Sequence, residues 1–163
     1  MSRNLFALFE QQVKKNPDKT ALICGDQALS YGRLFHQVQG VSFHFSRMGI
    51  TSGSHVAVFE NNSLSFVIIM LACACLGAVI VPLPLTLKGR YQAKALKNCD
   101  CDFVVGWHSV VRGLKEQNSF EPDRLVSIGK KVEDCFFLAD FIREQKTFRP
   151  EKAVPKQSPY ILT

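Results

Sequence analysis

The sequence predicts an α/β fold in which a layered, largely parallel sheet is flanked by helices. Two observations carry this prediction. Segments with helical spacing alternate with short β-branched segments, in the order strand, helix, strand, helix, strand, helix, strand. The composition is that of a globular protein, because 47% of the 163 residues are hydrophobic and 21% are charged. A chain of this length can bury a substantial core as one domain.

The N-terminal part is predicted to form a helix and a hairpin. Apolar residues recur at helical spacing over 5–13, and Asn16-Pro17 follows the end of this helix. A strand is expected over 20–24, and Gly25-Asp26 is a plausible turn into a second strand at 27–29.

A long amphipathic helix and a strand come next. Ser30 is a favourable N-cap, and Gly49 is placed to end the helix. Gly53 then turns the chain into a strand at 55–59. The apolar stripe of the helix has steps of four and three residues: Leu34, Val38, Val41, Phe45 and Met48.

The apolar stretch 66–81 is interpreted as part of a helix followed by a strand. Ser63 can cap a helix over 64–76, and Gly77 suits the left-handed position at its end. The β-branched segment 78–81 then predicts a strand. A membrane span needs about 20 apolar residues, so a span remains the less favoured alternative.

The remaining elements continue the alternation as far as a Pro-rich segment. Thr86 is expected to cap a helix that runs to Leu96, and strands are expected at 103–107 and 125–128. Four apolar residues mark a last helix: Phe137, Leu138, Phe141 and Ile142. The predicted organisation is an α/β subdomain over 1–145, a connector over 146–159 and the start of a strand over 160–163.

The cysteines are expected to be reduced and structural. No signal-like apolar run precedes Glu10, so a cytoplasmic location is expected. Cys73 and Cys75 would point about 200° apart on a helix and could not bind one metal ion together. A second such pair, Cys99 and Cys101, precedes a strand.

The charged residues offer no catalytic or metal site and no nucleic-acid surface. The net charge of +6 is scattered along the chain, so nucleic-acid binding is not expected. The histidines lack metal-ligand pairing: His36, His44, His55 and His108. Asp100 and Asp102 are interpreted as a charged turn. A basic group is interpreted as a solvated helix face, with anion binding as the alternative: Lys88, Arg90, Lys94 and Lys97.

Two segments resemble sequence motifs of one enzyme superfamily. Residues 29–34, Leu-Ser-Tyr-Gly-Arg-Leu, are similar to the family motif Leu-Ser/Thr-Tyr-x-Glu-Leu. Residues 62–66 together with 76–83 resemble the second motif. By the order and spacing of these segments, the chain resembles the N-terminal portion of the adenylate-forming enzymes, which include acyl- and aryl-CoA ligases, luciferases and peptide-synthetase adenylation domains. It departs from the family pattern at two positions, Arg33 and Pro84.

The resemblance implies the chemistry of a parent enzyme. Such enzymes attack the α-phosphate of ATP with a carboxylate, release pyrophosphate and then form a thioester, so ATP, Mg²⁺ and CoA are expected for the parent. Residues 160–163 resemble the strand that leads into the family's phosphate loop. Thr163 would be the first residue of that loop and is the one position assigned to phosphate binding.

The family's remaining ATP contacts, acid pocket and catalytic lysine lie downstream of this point. The chain is therefore expected to be a truncated N-terminal segment that is inactive by itself. Its partner would be the missing remainder of the enzyme, and exposed apolar surface could lead to self-association. A stand-alone, non-catalytic α/β binding module and membrane attachment through 66–81 stay open as alternatives. The identity of the acid, and of the acceptor (CoA or a carrier protein), also stays open.

Overall fold

A computed structural model describes residues 5–144 and 146–148 and confirms the α/β fold. Its helices and strands alternate along most of this part of the chain. In chain order they are α1 (Leu5–Lys15), β1 (Thr20–Cys24), β2 (Gln27–Ser30), α2 (Tyr31–Arg47), β3 (His55–Phe59), α3 (Leu64–Leu76), β4 (Val79–Pro82), α4 (Gly89–Asn98), β5 (Phe103–Trp107), α5 (His108–Glu116), β6 (Leu125–Ile128), β7 (Phe136–Phe137) and α6 (Leu138–Arg143).

The main sheet has five parallel strands in the order β4-β3-β5-β6-β7. Side chains that alternate along β3 enter two different cores. Val56 and Val58 pack in one core with apolar residues of α1, α2, α3 and α6. Ala57 and Phe59 pack in the other core with apolar residues of α4 and α5. Because alternate residues of a strand face opposite sides of its sheet, the two groups of helices cover opposite faces.

The predicted start and stop signals of the central helices are confirmed. The Oγ of Ser30 accepts a hydrogen bond from the backbone N–H of Arg33, and the Oγ of Ser63 accepts one from Phe66. Gly77 ends α3 with a φ of 72°, in the left-handed region that glycine adopts at little cost. The predicted stripe of α2 is buried except for Met48, which is half-buried.

The apolar stretch forms a helix and a strand, as predicted. Helix α3 has 13 residues and β4 follows it after a short turn. Within the described part of the chain, the structure contains no helix long and apolar enough to cross a membrane. The length of the stretch therefore reflects two consecutive buried elements.

Three details of the predicted elements are wrong. Thr86 does not cap a helix: the Pro84 carbonyl accepts the Leu87 N–H, which places Thr86 inside a turn, and α4 begins at Gly89. Phe137 belongs to β7, where it pairs with Ser127, so the last helix begins one residue later. Helix α5 was not predicted. It was missed because it follows β5 directly and has no capping side chain at its start. Its buried residues Val111 and Leu114 are three positions apart, which is a helical spacing.

The last described helix packs against α2, which lies about a hundred residues earlier. The ring of His44 stacks on Phe141 at 4.3 Å with an interplanar angle of 7°, and its Nε2 lies 3.0 Å from Oε2 of Glu144. Gly40 permits this approach, since a Cβ there would lie 2.5 Å from the Phe141 carbonyl oxygen. The Gln39 side chain also accepts the N–H of Phe148 at 2.6 Å.

The predicted boundaries at 145/146 and 159/160 stay predictions. Residues 149–159 of the proposed connector and all of 160–163 lie outside the described residues.

Candidate functional site

Thr163, the position assigned to phosphate binding, lies outside the described residues. The described part of the chain instead presents a cleft that the sequence analysis did not predict. The cleft has a volume of about 450 Å³. Its lining combines apolar and polar residues from three segments of the chain: Asn61, Leu85, Leu87, Lys88, Gln92, Trp107, Ser109, Val110 and Gly113.

The position of the cleft follows from the topology of the sheet. Strands β3 and β5 are neighbours, but the helices that follow them, α3 and α5, pack on opposite faces. The connections therefore diverge at the carboxyl ends of these two strands and leave a crevice between them. Crevices at such a point are the usual ligand sites of open parallel α/β sheets. Asn61, two residues after β3, and Trp107, the last residue of β5, both line the cleft.

Trp107 spans the carboxyl edge of the sheet. Its indole Nε1 donates a hydrogen bond to Oε1 of Glu60 at 3.2 Å, beyond the end of β3. The other side of the indole lies against Gly129, just beyond β6, where a Cβ would be 2.4 Å from Cζ3. Because Gly129 has no Cβ, the indole fits against it and extends over the carboxyl ends of β3, β5 and β6.

Glu60 is a partly buried carboxyl group at this edge. Burial raises its pKa above the ordinary value of 4.5. The N–H of Asn61 and the indole N–H of Trp107 both donate to its Oε1 and offset part of that rise. The raised pKa and the cleft thus occur at the same sheet edge.

Gln92 is the most deeply buried polar residue that lines the cleft. It is 7% exposed, and its carboxamide has no hydrogen-bond partner among the residues that the structure describes. The amide atoms of Gln92 are not sealed from solvent, so they can donate to or accept from a ligand in the cleft. Helix α4 carries Gln92 one turn after its N-terminus, on the side that faces α5 and the loop after β4.

Of the four basic residues singled out from the sequence, only Lys88 lines this cleft. All four are exposed, as a solvated helix face requires. The guanidinium of Arg90 lies over the ring of Tyr91 and donates to its hydroxyl. Lys97 lines a different cavity, with Cys101 and Phe120. The structure therefore does not bring the four cations together around one anion.

The histidines are separated in the structure. His36 is exposed and His44 pairs with Glu144. The ring of His55 lies 2.6 Å from the Cys99 carbonyl oxygen, while its backbone N–H donates to Asp102. Among the described residues, no group of three His, Cys, Asp or Glu side chains is placed to hold a metal ion.

The two cysteines of α3 are buried, as expected for structural residues. Burial raises the pKa of Cys73 to about 12, and burial likewise raises that of Cys75 to about 12. These thiols are therefore protonated at neutral pH and poor nucleophiles.

A parallel α/β sheet with a cleft at its carboxyl edge is the arrangement in which open α/β domains usually place their ligand sites. The family profile described as "AMP-binding enzyme" matches residues 9–160. This chain belongs to the AMP-binding enzyme family, which confirms the resemblance seen in the sequence.

Two relatives illustrate the similarity in sequence. Malpibaldin synthetase of Mortierella alpina is 29% identical over 140 residues, which is 78% of this chain and 2% of the relative. A medium/long-chain-fatty-acid–CoA/3-oxocholest-4-en-26-oate–CoA ligase of Mycobacterium marinum is 32% identical over 94 residues, which is 58% of this chain and 16% of the relative. The chain thus spans a small part of the length of both proteins.

Two solved structures share the fold. A long-chain-fatty-acid-CoA ligase from Archaeoglobus fulgidus matches with a TM-score of 0.83 and 18% identity, covering 99% of this chain and 34% of that one. The N-terminal subdomain of NpsA from Klebsiella oxytoca, in complex with 3-hydroxyanthranilyl-AMSN, matches with a TM-score of 0.73 and 17% identity, covering 99% of this chain and 37% of that one. The fold is therefore that of the N-terminal domain of adenylate-forming enzymes.

Proposed function

We propose that this chain is the N-terminal segment of an ATP-dependent carboxylic-acid:CoA ligase. The complete enzyme would form an acyl-adenylate and then a thioester. The observation that carries this proposal is the family match over residues 9–160. The fold of the chain also matches about a third of a long-chain-fatty-acid-CoA ligase, with a TM-score of 0.83.

The 163 residues alone are proposed to lack adenylating activity. Adenylation requires oriented donors and cations around the α-phosphate of ATP. The resemblance assigns those groups to the phosphate loop that begins at Thr163 and to segments beyond it. The described residues contain no cluster of three potential metal ligands, so Mg²⁺ would be held by ATP and by other residues of the complete enzyme. The proposed location is the cytoplasm.

Acid-dependent ATP–pyrophosphate exchange tests this proposal. The chain is assayed alone and as part of a polypeptide extended through the coding sequence that follows Thr163, each with a panel of fatty and aromatic acids. We expect exchange from the extended polypeptide and none from the 163 residues. Robust exchange from the 163 residues alone would contradict the proposed inactivity. An extended polypeptide without exchange on any acid would contradict the ligase assignment.

A second candidate function is a stand-alone module that binds a small ligand without catalysis. The cleft beside the ends of β3 and β5 favours it, because described residues of this chain already form a cavity of about 450 Å³. The coding sequence distinguishes the two candidates. A natural stop codon directly after Thr163 supports the stand-alone module, and a continuing phosphate loop supports the ligase.

The chain alone is also proposed to self-associate through apolar surface. Several large apolar side chains are more than a third exposed: Leu5, Leu8, Ile23, Tyr91 and Phe136. Sedimentation velocity over a range of concentrations should show reversible association. A monomer at every concentration would contradict this part of the proposal.

A further inference from the structure

The cleft at the carboxyl edge has the electrostatic character of an anion site. Helices α4 and α5 both begin beside it, with ten and nine residues respectively. Neither helix has a side-chain cap on its first N–H groups. Free N–H groups and the helix dipole together favour an anion at such a position.

Residues from the first turns of both helices reach the cleft. Lys88, the N-cap residue of α4, lines it and adds a full positive charge. Ser109 and Val110, in the first turn of α5, line it as well. The cleft therefore receives two helix N-termini and one cation from separate segments of the chain.

The side chain of Gln92 is an independent indication of a ligand, because it lines the cleft without a protein partner. Its side chain lines the cleft, is more than nine-tenths buried and has no partner among the described residues. An amide N–H₂ that faces the cleft without a protein partner can donate to the oxygens of an anion.

The remaining walls are apolar. Leu85 and Leu87 from the loop after β4 line the cleft together with the indole of Trp107. A fully hydrated inorganic ion would gain nothing from these surfaces, whereas an organic anion could bury an apolar body against them.

Glu60 is the carboxylate nearest to Trp107, and its charge opposes an anion. Its Oε1 already accepts hydrogen bonds from the indole N–H of Trp107 and from the N–H of Asn61. Glu60 itself is absent from the lining of the cleft. Its repulsion is therefore partly neutralised by these two donors.

We propose that this cleft binds a small organic anion, either a carboxylate or a phosphate monoester with an apolar body. Lys88, Gln92 and the N-terminal N–H groups of α5 hold the anionic oxygens. Leu85, Leu87 and Trp107 contact the apolar body. This inference goes beyond the proposed ligase function, and it uses none of the residues that the family resemblance assigns to ATP.

Trp107 provides a direct measurement, because it is the only tryptophan of the chain. The 163-residue chain is titrated with octanoate and with octyl phosphate while tryptophan fluorescence is followed, and calorimetry measures the same binding independently. Octylammonium, octanol and inorganic phosphate serve as control ligands. We expect saturable binding of at least one octyl anion and at least tenfold weaker binding of all three controls.

Variants then locate the binding. Lys88→Gln should weaken binding of the octyl anion about tenfold, the usual effect of losing one charge-assisted hydrogen bond. Gln92→Leu should weaken it about fivefold, because the substitution keeps the side-chain size and removes the amide. Lys97→Gln is the matched control. It removes the same charge from the same helix at a position outside this cleft, so it should leave affinity within about twofold.

The alternatives give different outcomes. Equal binding of octanol or octylammonium would overturn the anion assignment, and equal binding of inorganic phosphate would overturn the role of the apolar walls. Equal losses in Lys88→Gln and Lys97→Gln would show a diffuse charge effect and overturn the site. A preference between octanoate and octyl phosphate identifies the anionic group. The binding experiment requires no adenylation, so its failure is distinguishable from failure of the proposed ligase function.

Discussion

The indole N–H of Trp107 donates to the Glu60 carboxylate at 3.2 Å and thereby joins the ends of two neighbouring parallel strands. Both residues lie at the point where the connections of the sheet diverge. This contact supplies a donor to a carboxyl group whose pKa is raised by burial. Its removal should therefore be visible in the titration of Glu60.

Trp107→Phe is expected to raise the pKa of Glu60 further. The indole N–H stabilises the ionised carboxylate, and phenylalanine keeps an aromatic ring but has no donor. The side-chain carboxyl carbon of Glu60, followed by NMR across pH, measures the change. Glu121 is a suitable internal control, since it is far along the sequence and exposed. An unchanged or lower pKa of Glu60 would contradict the role of this hydrogen bond.

The same carboxyl group should make stability depend on pH. Because the folded-state pKa lies above 4.5, its contribution to stability is present below that value and is lost as pH rises through the folded pKa. Glu60→Gln cannot ionise and should lack this loss. The free energy of unfolding of the variant, relative to the unmodified chain, should therefore become more favourable from acid to neutral pH. Denaturant unfolding at both pH values measures this difference, and a constant or opposite difference would refute the assignment.

Gly40→Ala is expected to destabilise the protein by about 1–3 kcal/mol. The new Cβ would lie 2.5 Å from the Phe141 carbonyl oxygen and 2.7 Å from that of Glu144, so α6 would have to move away from α2. Gly113→Ala is the matched control in helix α5, where a Cβ meets nothing within 4 Å. That control should stabilise by about 0.5–1 kcal/mol. Thermal and denaturant unfolding measure both, and equal effects would argue against close packing at Gly40.

Gly129→Ala should both destabilise the fold and displace the indole. Gly129 has a φ of 81°, and a Cβ there would lie 2.4 Å from Cζ3 of Trp107. Gly25→Ala separates the two causes, since Gly25 has a φ of 57° and open space around it. Gly25→Ala should cost about 1 kcal/mol and leave tryptophan fluorescence unchanged. Gly129→Ala should cost more and shift the emission, and an unshifted spectrum would contradict the placement of Trp107.

Thiol labelling should divide the cysteines by exposure. Cys24 is exposed at the end of β1 and should react first with a disulfide reagent. Cys73 and Cys75, whose pKa values burial raises to about 12, should react only after unfolding. In the Cys24→Ser variant the fast phase of the labelling reaction should disappear and the slower phases should stay unchanged. Rapid labelling of the α3 thiols in the native state would show that the helix is less buried than described.

Much of the fold could be predicted because the chain marks its elements locally. Ser30 and Ser63 cap helices and Gly77 ends one, so the bounds of α3 could be placed to the residue. Thr86 also has a hydroxyl that could cap a helix, yet it lies inside the turn in which the Pro84 carbonyl accepts the Leu87 N–H. A capping residue is therefore informative only when the backbone around it is free to begin a helix.

The cleft could not be predicted in the same way. Its lining comes from positions as far apart as Asn61 and Gly113, and each of these residues is unremarkable in the sequence. Gln92 matters because it lines the cleft without a protein partner, and its position there depends on the packing of α4. The sequence does predict the two strands that end at Phe59 and Trp107, beside the cleft. It does not show that these strands are neighbours in the sheet, and without the strand order the position of the cleft cannot be predicted.

The stacking of His44 on Phe141 also has a consequence for biosynthesis. These partners are almost a hundred residues apart, and a ribosome that adds 5–20 residues per second needs about 5–20 s to make that length. During this interval one side of α2 has been synthesised without the helix that covers it. The N-terminal core is thus begun early in translation and completed only when α6 emerges, and until then the apolar surface of α2 that α6 covers is open to aggregation.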